Sequence, residues 1–314
     1  MALNSCQKEK GERKTPIKTK VDSIISIEQL AKFVSSIDTN YSHFKYDSII
    51  NFNPVFSSSN CPQLAACANI TKTFLKADFD NNGYNDLLVI SRFEYFEINL
   101  FTIFGFKDGF KIKPFTNGNI WDCKYPELTA IDNLPAINIF SYERSNVGNS
   151  IILKTKLIYK YGNFIEYNSK PKNHKIQKIL VEVSPCMGKC PNFKLDIDAD
   201  GNANLDAIAY NYVNYPNLLN EIKGKFTTKI RTEQFNELIT LLNYLDFENL
   251  KDKYSVGSTD DATIDIKIIY DNGREKRIHD YGLMGTHGLD RLYHMIKELR
   301  FNQDWKNDTS ANPR

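Results

Sequence analysis

The sequence lacks an excess of either charge and lacks any long apolar run. Forty lysines and arginines stand against 38 aspartates and glutamates, a net charge of +2. That balance excludes a basic nucleic-acid binder as the first reading. No apolar stretch approaches the ~20 residues a membrane-crossing helix needs. Glycines at dinucleotide-fingerprint spacing are also missing, because the three in His279 to Gly288 are spaced otherwise and follow an antiparallel strand. No Ser-His-Asp set or pair of catalytic carboxylates can be assembled from spacing alone. What is there is ordinary globular composition, 41% hydrophobic and 25% charged over 314 residues, enough for two domains at roughly 150 residues each.

The charge is unevenly placed. From Lys8 to Lys20 lie six basic and two acidic residues, a +4 segment on a body that sums to −2. Ahead of it, Met1-Ala2-Leu3-Asn4-Ser5-Cys6-Gln7 resembles the end of a bacterial lipoprotein signal, with a Leu three residues before a Cys and a small residue just before it. The resemblance implies that Cys6 carries lipid and that residues 1–20 are a signal remnant followed by a polar tether. It also implies a Gram-negative cell envelope, with the membrane reached through that lipid on the periplasmic or surface side. The alternative is a cytosolic terminus with an incidental cysteine.

Five further cysteines follow, Cys61, Cys67, Cys123, Cys186 and Cys190. Two close pairs in loop-like contexts nominate Cys61 and Cys67, and Cys186 and Cys190, as the disulfide cysteines of an extracytoplasmic chain, with Cys123 unassigned. A catalytic dithiol usually has two intervening residues, and Cys186 and Cys190 have three, which favours a structural disulfide. Zinc held by that pair would recruit His279 and His287, at no recognised ligand spacing.

Ser26 and Gln29 form a capping-box pattern that predicts a helix over 27–37. From Thr71 to about Tyr167, aromatic and β-branched runs between turn signals predict hairpins packed on that helix: 71–79, 86–93, 96–104, 137–142, 151–159 and 164–167. Asn168 to Lys175 reads as a linker. Beyond it, strands are predicted at 176–183, 193–198, 203–210, 221–226, 263–270 and 276–280. Helices are predicted from Thr232, as its cap, and over 288–301. The organisation expected is therefore a tether (1–20), an N-terminal α+β domain (21–168), a linker (169–175), a C-terminal α+β domain (176–305) and a disordered tail (306–314). Each domain is an antiparallel sheet of hairpins with one or two packed helices.

Ser184-Pro185-Cys186-Met187-Gly188-Lys189-Cys190-Pro191-Asn192-Phe193, the Asp200-Gly201 turn, Leu241 to Tyr244 and Asp280-Tyr281-Gly282 resemble domain-of-unknown-function family 6438 of envelope lipoproteins. The match covers about Lys175 to Trp305, and it implies an extracytoplasmic α+β module with no assigned activity.

Asp78-Phe79-Asp80-Asn81-Asn82-Gly83-Tyr84-Asn85-Asp86 places Asp78, Asp80, Asn82 and Asp86 at positions 1, 3, 5 and 9 around a glycine at 6. Such alternation turns hard oxygens inward on one tight loop, as Ca²⁺ requires. The stretch resembles the calcium loop of FG-GAP/VCBS repeats, in a single copy that does not support a propeller. The other reading is a hairpin turn stabilised by its own Asp and Asn side chains. Asp196, Asp198 and Asp200 before Gly201 form a weaker metal candidate, because position 12 holds Ala207 and no bidentate Glu. Alternation through Phe193, Leu195 and Ile197 reads instead as a strand entering a type I′ Asp-Gly hairpin.

The function these features favour is a lipid-anchored envelope protein, a non-enzymatic binding or interaction module with Ca²⁺ as its one candidate cofactor. Two alternatives stand beside it. One is a thiol- or metal-dependent enzyme using Cys186 and Cys190 with His279 or His287, and the other is an immunity or inhibitor protein for one protein partner.

Overall fold

The computed structural model describes residues 16–46, 61–93, 97–115, 123–143, 151–214, 219–257 and 259–308. Cys6 and residues 309–314 lie outside them. The chain divides into two units, 1–164 and 165–314, and the fold is α+β, with sheets that are mostly antiparallel.

In the first unit, Ser26 caps helix α1 (Ile27–Ile37) as its sequence predicts. Its hydroxyl accepts the Gln29 N–H at 3.2 Å while the Gln29 side-chain oxygen accepts the Ser26 N–H at 3.2 Å. Two donors that a helix start leaves open are thereby satisfied. Strand β1 (Phe44–Lys45), helix α2 (Cys61–Cys67), and strands β2 (Phe74–Ala77), β3 (Asp86–Phe93), β4 (Glu97–Phe106) and β5 (Gly109–Pro114) follow. They form a sheet of order β1-β3-β4-β5, with β2 sharing the outer edge of β3. A second sheet runs in order through β6 (Lys124–Ile131), β7 (Leu134–Glu143), β8 (Ile151–Lys160) and β9 (Asn163–Glu166). Asp132-Asn133, at φ +50° and +67°, join β6 to β7 in a two-residue turn of the kind that matches strand twist.

The strands predicted for one set of hairpins are thus shared between two sheets. On one face of the first sheet, Leu30, Phe33 and Val34 of α1 pack on Leu87, Val89, Phe101 and Ile103. On the other face, Leu88, Ile90 and Leu100 meet Leu64 of α2 and Ile137, Ile139 and Leu157 of the second sheet. This explains why Leu87 to Ile90 is an unbroken apolar run, fully buried on both sides.

Helix α2 overturns the pairing of Cys61 with Cys67. Six helical residues place their Cα atoms about 9 Å apart and on different faces, beyond the ~7 Å a disulfide spans. Cys61 is buried and bonded to Cys123, Cα to Cα 5.6 Å, and Cys67 is an exposed free thiol.

The second unit contains β10 (Ile176–Ser184), β11 (Asn192–Asp198), β12 (Asn202–Ala209), a small hairpin of β13 (Tyr212–Asn214) and β14 (Leu219–Glu221), β15 (Gly224–Lys229), α3 (Thr232–Tyr244), β16 (Lys253–Ser255), β17 (Thr263–Tyr270), β18 (Arg274–Tyr281), α4 (His287–Leu299) and β19 (Lys306–Asn307). Eight strands order as β16-β18-β17-β10-β11-β12-β15-β19, all antiparallel neighbours except the parallel pair β16 and β18. Every second residue is buried along β11 and β17, along β10 from Ile179 and along β12 as far as Ala207. One face of this sheet therefore belongs to the core.

Three expectations are corrected here. Thr232 is the first residue of α3 and not its cap, which is Arg231 without a side-chain bond. Residues 168–175 belong to the second unit and are held to it: Asn168 donates to the Tyr244 carbonyl at 2.7 Å, and Lys172 pairs with Glu248 at 2.7 Å. The start of the expected tail, Lys306–Asn307, pairs with β15, whose edge would otherwise leave backbone groups open.

Candidate metal centre

The loop from Asp78 to Asn85 joins β2 to β3, and its tight bend rests on two left-handed residues, Asn81 at φ +57° and Gly83 at φ +93°. Asp78 is buried, and its carboxylate accepts the N–H groups of Asn82 at 3.0 Å and Gly83 at 2.9 Å. Asp86, fully buried, accepts from Phe79 at 2.8 Å through one oxygen and from Gly105 at 2.8 Å through the other. Asp80, only partly buried, accepts from the Asn82 backbone at 3.2 Å and side chain at 3.1 Å. One carboxylate oxygen from each of Asp78, Asp80 and Asp86 lies within 4.8 Å of the others.

No ion pair among the described residues gives these three carboxylates a cationic partner. Burial is the first cause that pushes Asp86 up to about 8 and Asp80 up to about 6, and the neighbouring aspartates add to both shifts. Backbone N–H bonds pull the other way. A carboxylate that accepts two hydrogen bonds keeps lone pairs for a cation, and a divalent ion would neutralise the mutual repulsion. The donor set is hard oxygen, which suits Ca²⁺. Asn82 is corrected as a ligand: its amide nitrogen, not its oxygen, faces Asp80 and also donates to the Gly105 carbonyl at 2.8 Å. Its oxygen accepts the Tyr84 N–H at 2.8 Å.

The weaker candidate does not assemble. Asp196 pairs with Lys178 at 2.8 Å, and Asp198 spends its oxygens on the Asp200 and Asn202 N–H groups and the Asn202 amide, each at 2.9 Å. Asp200 is not left-handed and Gly201 is, at φ +80°, with the Gly201 N–H on the Asp198 carbonyl at 3.1 Å. The hairpin is a type I turn closed by a left-handed glycine, and the type I′ expectation is corrected.

Cys186 and Cys190 are disulfide-bonded, Cα to Cα 5.5 Å. His279 contacts Asp265 at 2.7 Å, and the His287 N–H at the start of α4 donates to Glu166. Among the described residues, no cysteine and histidine group of three gathers around a common point.

Two carboxylates missed by sequence reasoning explain the glycine-rich turn before α4. Asp280 is fully buried and accepts from the Met284 N–H at 2.9 Å, the Gly285 N–H at 2.8 Å and the Tyr293 hydroxyl at 2.8 Å. Glu166 accepts the His287 and Gly288 N–H groups at 2.7 and 2.8 Å. The chain's own carboxylates thus occupy donors that a bound anion would use. An Asp ahead of a Gly-rich turn is a local signal for the first, whereas Glu166 lies 121 residues from its partner.

No curated protein and no solved structure matches the chain. Residues 177–300 match the family model of a domain of unknown function (DUF6438), and the C-terminal half of the chain therefore resembles that family.

Proposed function

We propose that the protein is a lipid-anchored, non-enzymatic binding module of a Gram-negative cell envelope, held at Cys6 and carrying one Ca²⁺ on Asp78, Asp80 and Asp86. The observation that carries this reading is the pair of disulfides, Cys61 to Cys123 and Cys186 to Cys190, because reducing compartments keep thiols open. The Leu-x-x-Cys prefix and the +4 segment behind it support the anchor. Asp280 and Glu166 are committed to backbone donors and Cys186 to its partner, which supports a structural use of these groups.

Mass spectrometry of native membrane fractions tests the anchor. A diacylglyceryl group on Cys6 is expected, and an unmodified Cys6 in the mature protein overturns it. Non-reducing peptide mapping should return the two cross-linked peptide pairs, whereas alkylation of all four cysteines would remove the compartment argument. Calorimetry with Ca²⁺ should separate the wild type from Asp80→Ala, and two identical, heatless titrations end the calcium assignment.

A further inference from the structure

The second unit's large sheet leaves one face open, and that face floors a cavity of about 730 Å³, within the size range of small-ligand sites. Strand register arranges its side chains in rows across the strands. One row runs through His279, Asp265, Glu182 and Lys194; the next, two residues along, runs through Arg277, Lys267, Leu180 and Asp196. All eight line the cavity. In the first row Asp265 stands directly opposite Glu182, and in the second Arg277 stands directly opposite Lys267. Like charges so placed repel unless something lies between them.

Their existing partners are exchangeable. Asp265 meets His279 at 2.7 Å and Glu182 meets Lys194 at 3.1 Å, with every one of these side chains substantially exposed. Lys267 and Arg277 share a single carboxylate, Glu275, at 2.6 and 3.4 Å. Exposed pairs of this kind contribute little to stability, so a ligand that brings its own charges displaces them at little cost. An acidic pair thus lies beside a basic pair, with half-buried Leu180 next to both.

We propose that this cavity binds a short zwitterionic peptide, its ammonium group at Asp265 and Glu182, its carboxylate at Lys267 and Arg277, and a side chain over Leu180. Two residues along a strand separate the rows by about 6.7 Å, and an extended dipeptide spans about 7 Å. A free amino acid spans only about half that spacing. A polyanion meets Asp265 and Glu182, and a polycation meets Lys267 and Arg277. A metal ion is not favoured, since the acids and His279 do not gather as ligands among the described residues. The inference names a ligand class for the binding-module reading and rests on that reading, but it needs neither the lipid on Cys6 nor Ca²⁺, so its failure is separable from theirs.

The test is calorimetric titration of the full chain with the dipeptide Ala-Leu, its N-acetylated form and its C-terminal amide, for the wild type, Asp265→Asn and Lys267→Met. Ala-Leu should bind saturably, and each blocked form should bind at least tenfold more weakly. Asp265→Asn should lose discrimination against the acetylated form and retain it against the amide, and Lys267→Met should do the reverse. Both side chains are solvent-accessible, and unchanged melting curves will show that both variants fold. Blocked peptides that bind as well as Ala-Leu, or no heat with any of the three, overturn the proposal.

Discussion

Asp86 and Gly105 are joined by a buried hydrogen bond, the Gly105 N–H donating to the Asp86 carboxylate at 2.8 Å, which ties the candidate metal loop to the end of β4. The approach leaves no room at Gly105. A Cβ there would stand 2.7 Å from the Asn85 carbonyl oxygen, which is backbone and cannot swing aside. Gly105→Ala should therefore cost about 1–3 kcal/mol, the usual range for overpacking, and should weaken Ca²⁺ binding with it. Urea melts and calorimetry check this, and a variant as stable as the wild type would show that the contact relaxes freely.

The same loop receives the end of the expected tether. The Ile17 N–H donates to the Gly83 carbonyl at 2.7 Å and the Asn85 amide donates to Asp22 at 2.6 Å. A cation on the loop should therefore order the residues that lead into α1. Limited proteolysis should cut near residues 16–25 faster in EGTA than in Ca²⁺, with the contrast lost in Asp80→Ala. Equal cleavage in both buffers contradicts the coupling.

The two disulfides should differ in their contribution to stability. Cys61 and Cys123 are 62 residues apart and Cys186 and Cys190 only four. On the chain-entropy scale these loops correspond to about 4 and about 2 kcal/mol. Cys61→Ala/Cys123→Ala should lower the urea midpoint of the first unit by more than Cys186→Ala/Cys190→Ala lowers that of the second. The reverse order would mean that entropy of the unfolded chain does not govern these bonds.

What was legible in the sequence was local. The bounds of β3 and β17 fall where apolar runs and turn residues put them, and α1 follows from a cap and a periodicity contained in eleven residues. The three aspartates of the candidate metal loop were legible because they lie within nine positions. Helix α2 was not, because Cys61-Pro62 reads as a loop although proline is well tolerated in a helix's first turn. Strand β6 was hidden by Pro126, which its edge position permits. Asn82 turned the other way because Gly105, 23 residues on, claims its amide. The Cys61 to Cys123 bond and the role of Glu166 depend on partners that no local pattern announces.

Acid should weaken the second unit through a cluster around His174. The contact with Lys172 is the first cause that holds Glu248 below the ordinary carboxylate value, and the His174 ring, 2.5 Å from Asp271, is the first cause that does so there. A lowered folded-state pKa means that the charged form is favoured by folding. The stabilisation is therefore complete above the ordinary values of 4.5 and 3.8 and is lost as pH falls through the lowered ones. Melting temperatures recorded from neutral pH downward should fall in this range, modestly because both carboxylates are solvent-screened, and Glu248→Gln should flatten the fall. A Glu248→Gln variant that retains the full acid limb would assign the loss to other carboxylates.

The folded second unit is larger than the stretch that matches the family, and its flanks make bonds the matched residues need. Glu166 satisfies the first N–H groups of α4, and Asn168 holds the end of α3 through Tyr244. On the other side, Gln303 accepts the Arg231 N–H at 2.9 Å before α3, the Trp305 indole donates to the Leu299 carbonyl at 3.0 Å, and Lys306–Asn307 cover the edge of β15. Removing these leaves part-buried donors and acceptors open, at up to about 1–3 kcal/mol each, against a total stability of only about 5–15 kcal/mol for a domain. A fragment of residues 165–308 should therefore unfold cooperatively, while one of residues 177–300 should show exposed apolar surface and no sharp transition. Glu166→Ala in the longer fragment should reproduce part of that loss, and Glu166→Gln, which keeps one acceptor for the α4 N–H groups, should reproduce less of it. Circular dichroism melts and dye binding read these outcomes, and two fragments that melt alike would show that the flanks are dispensable.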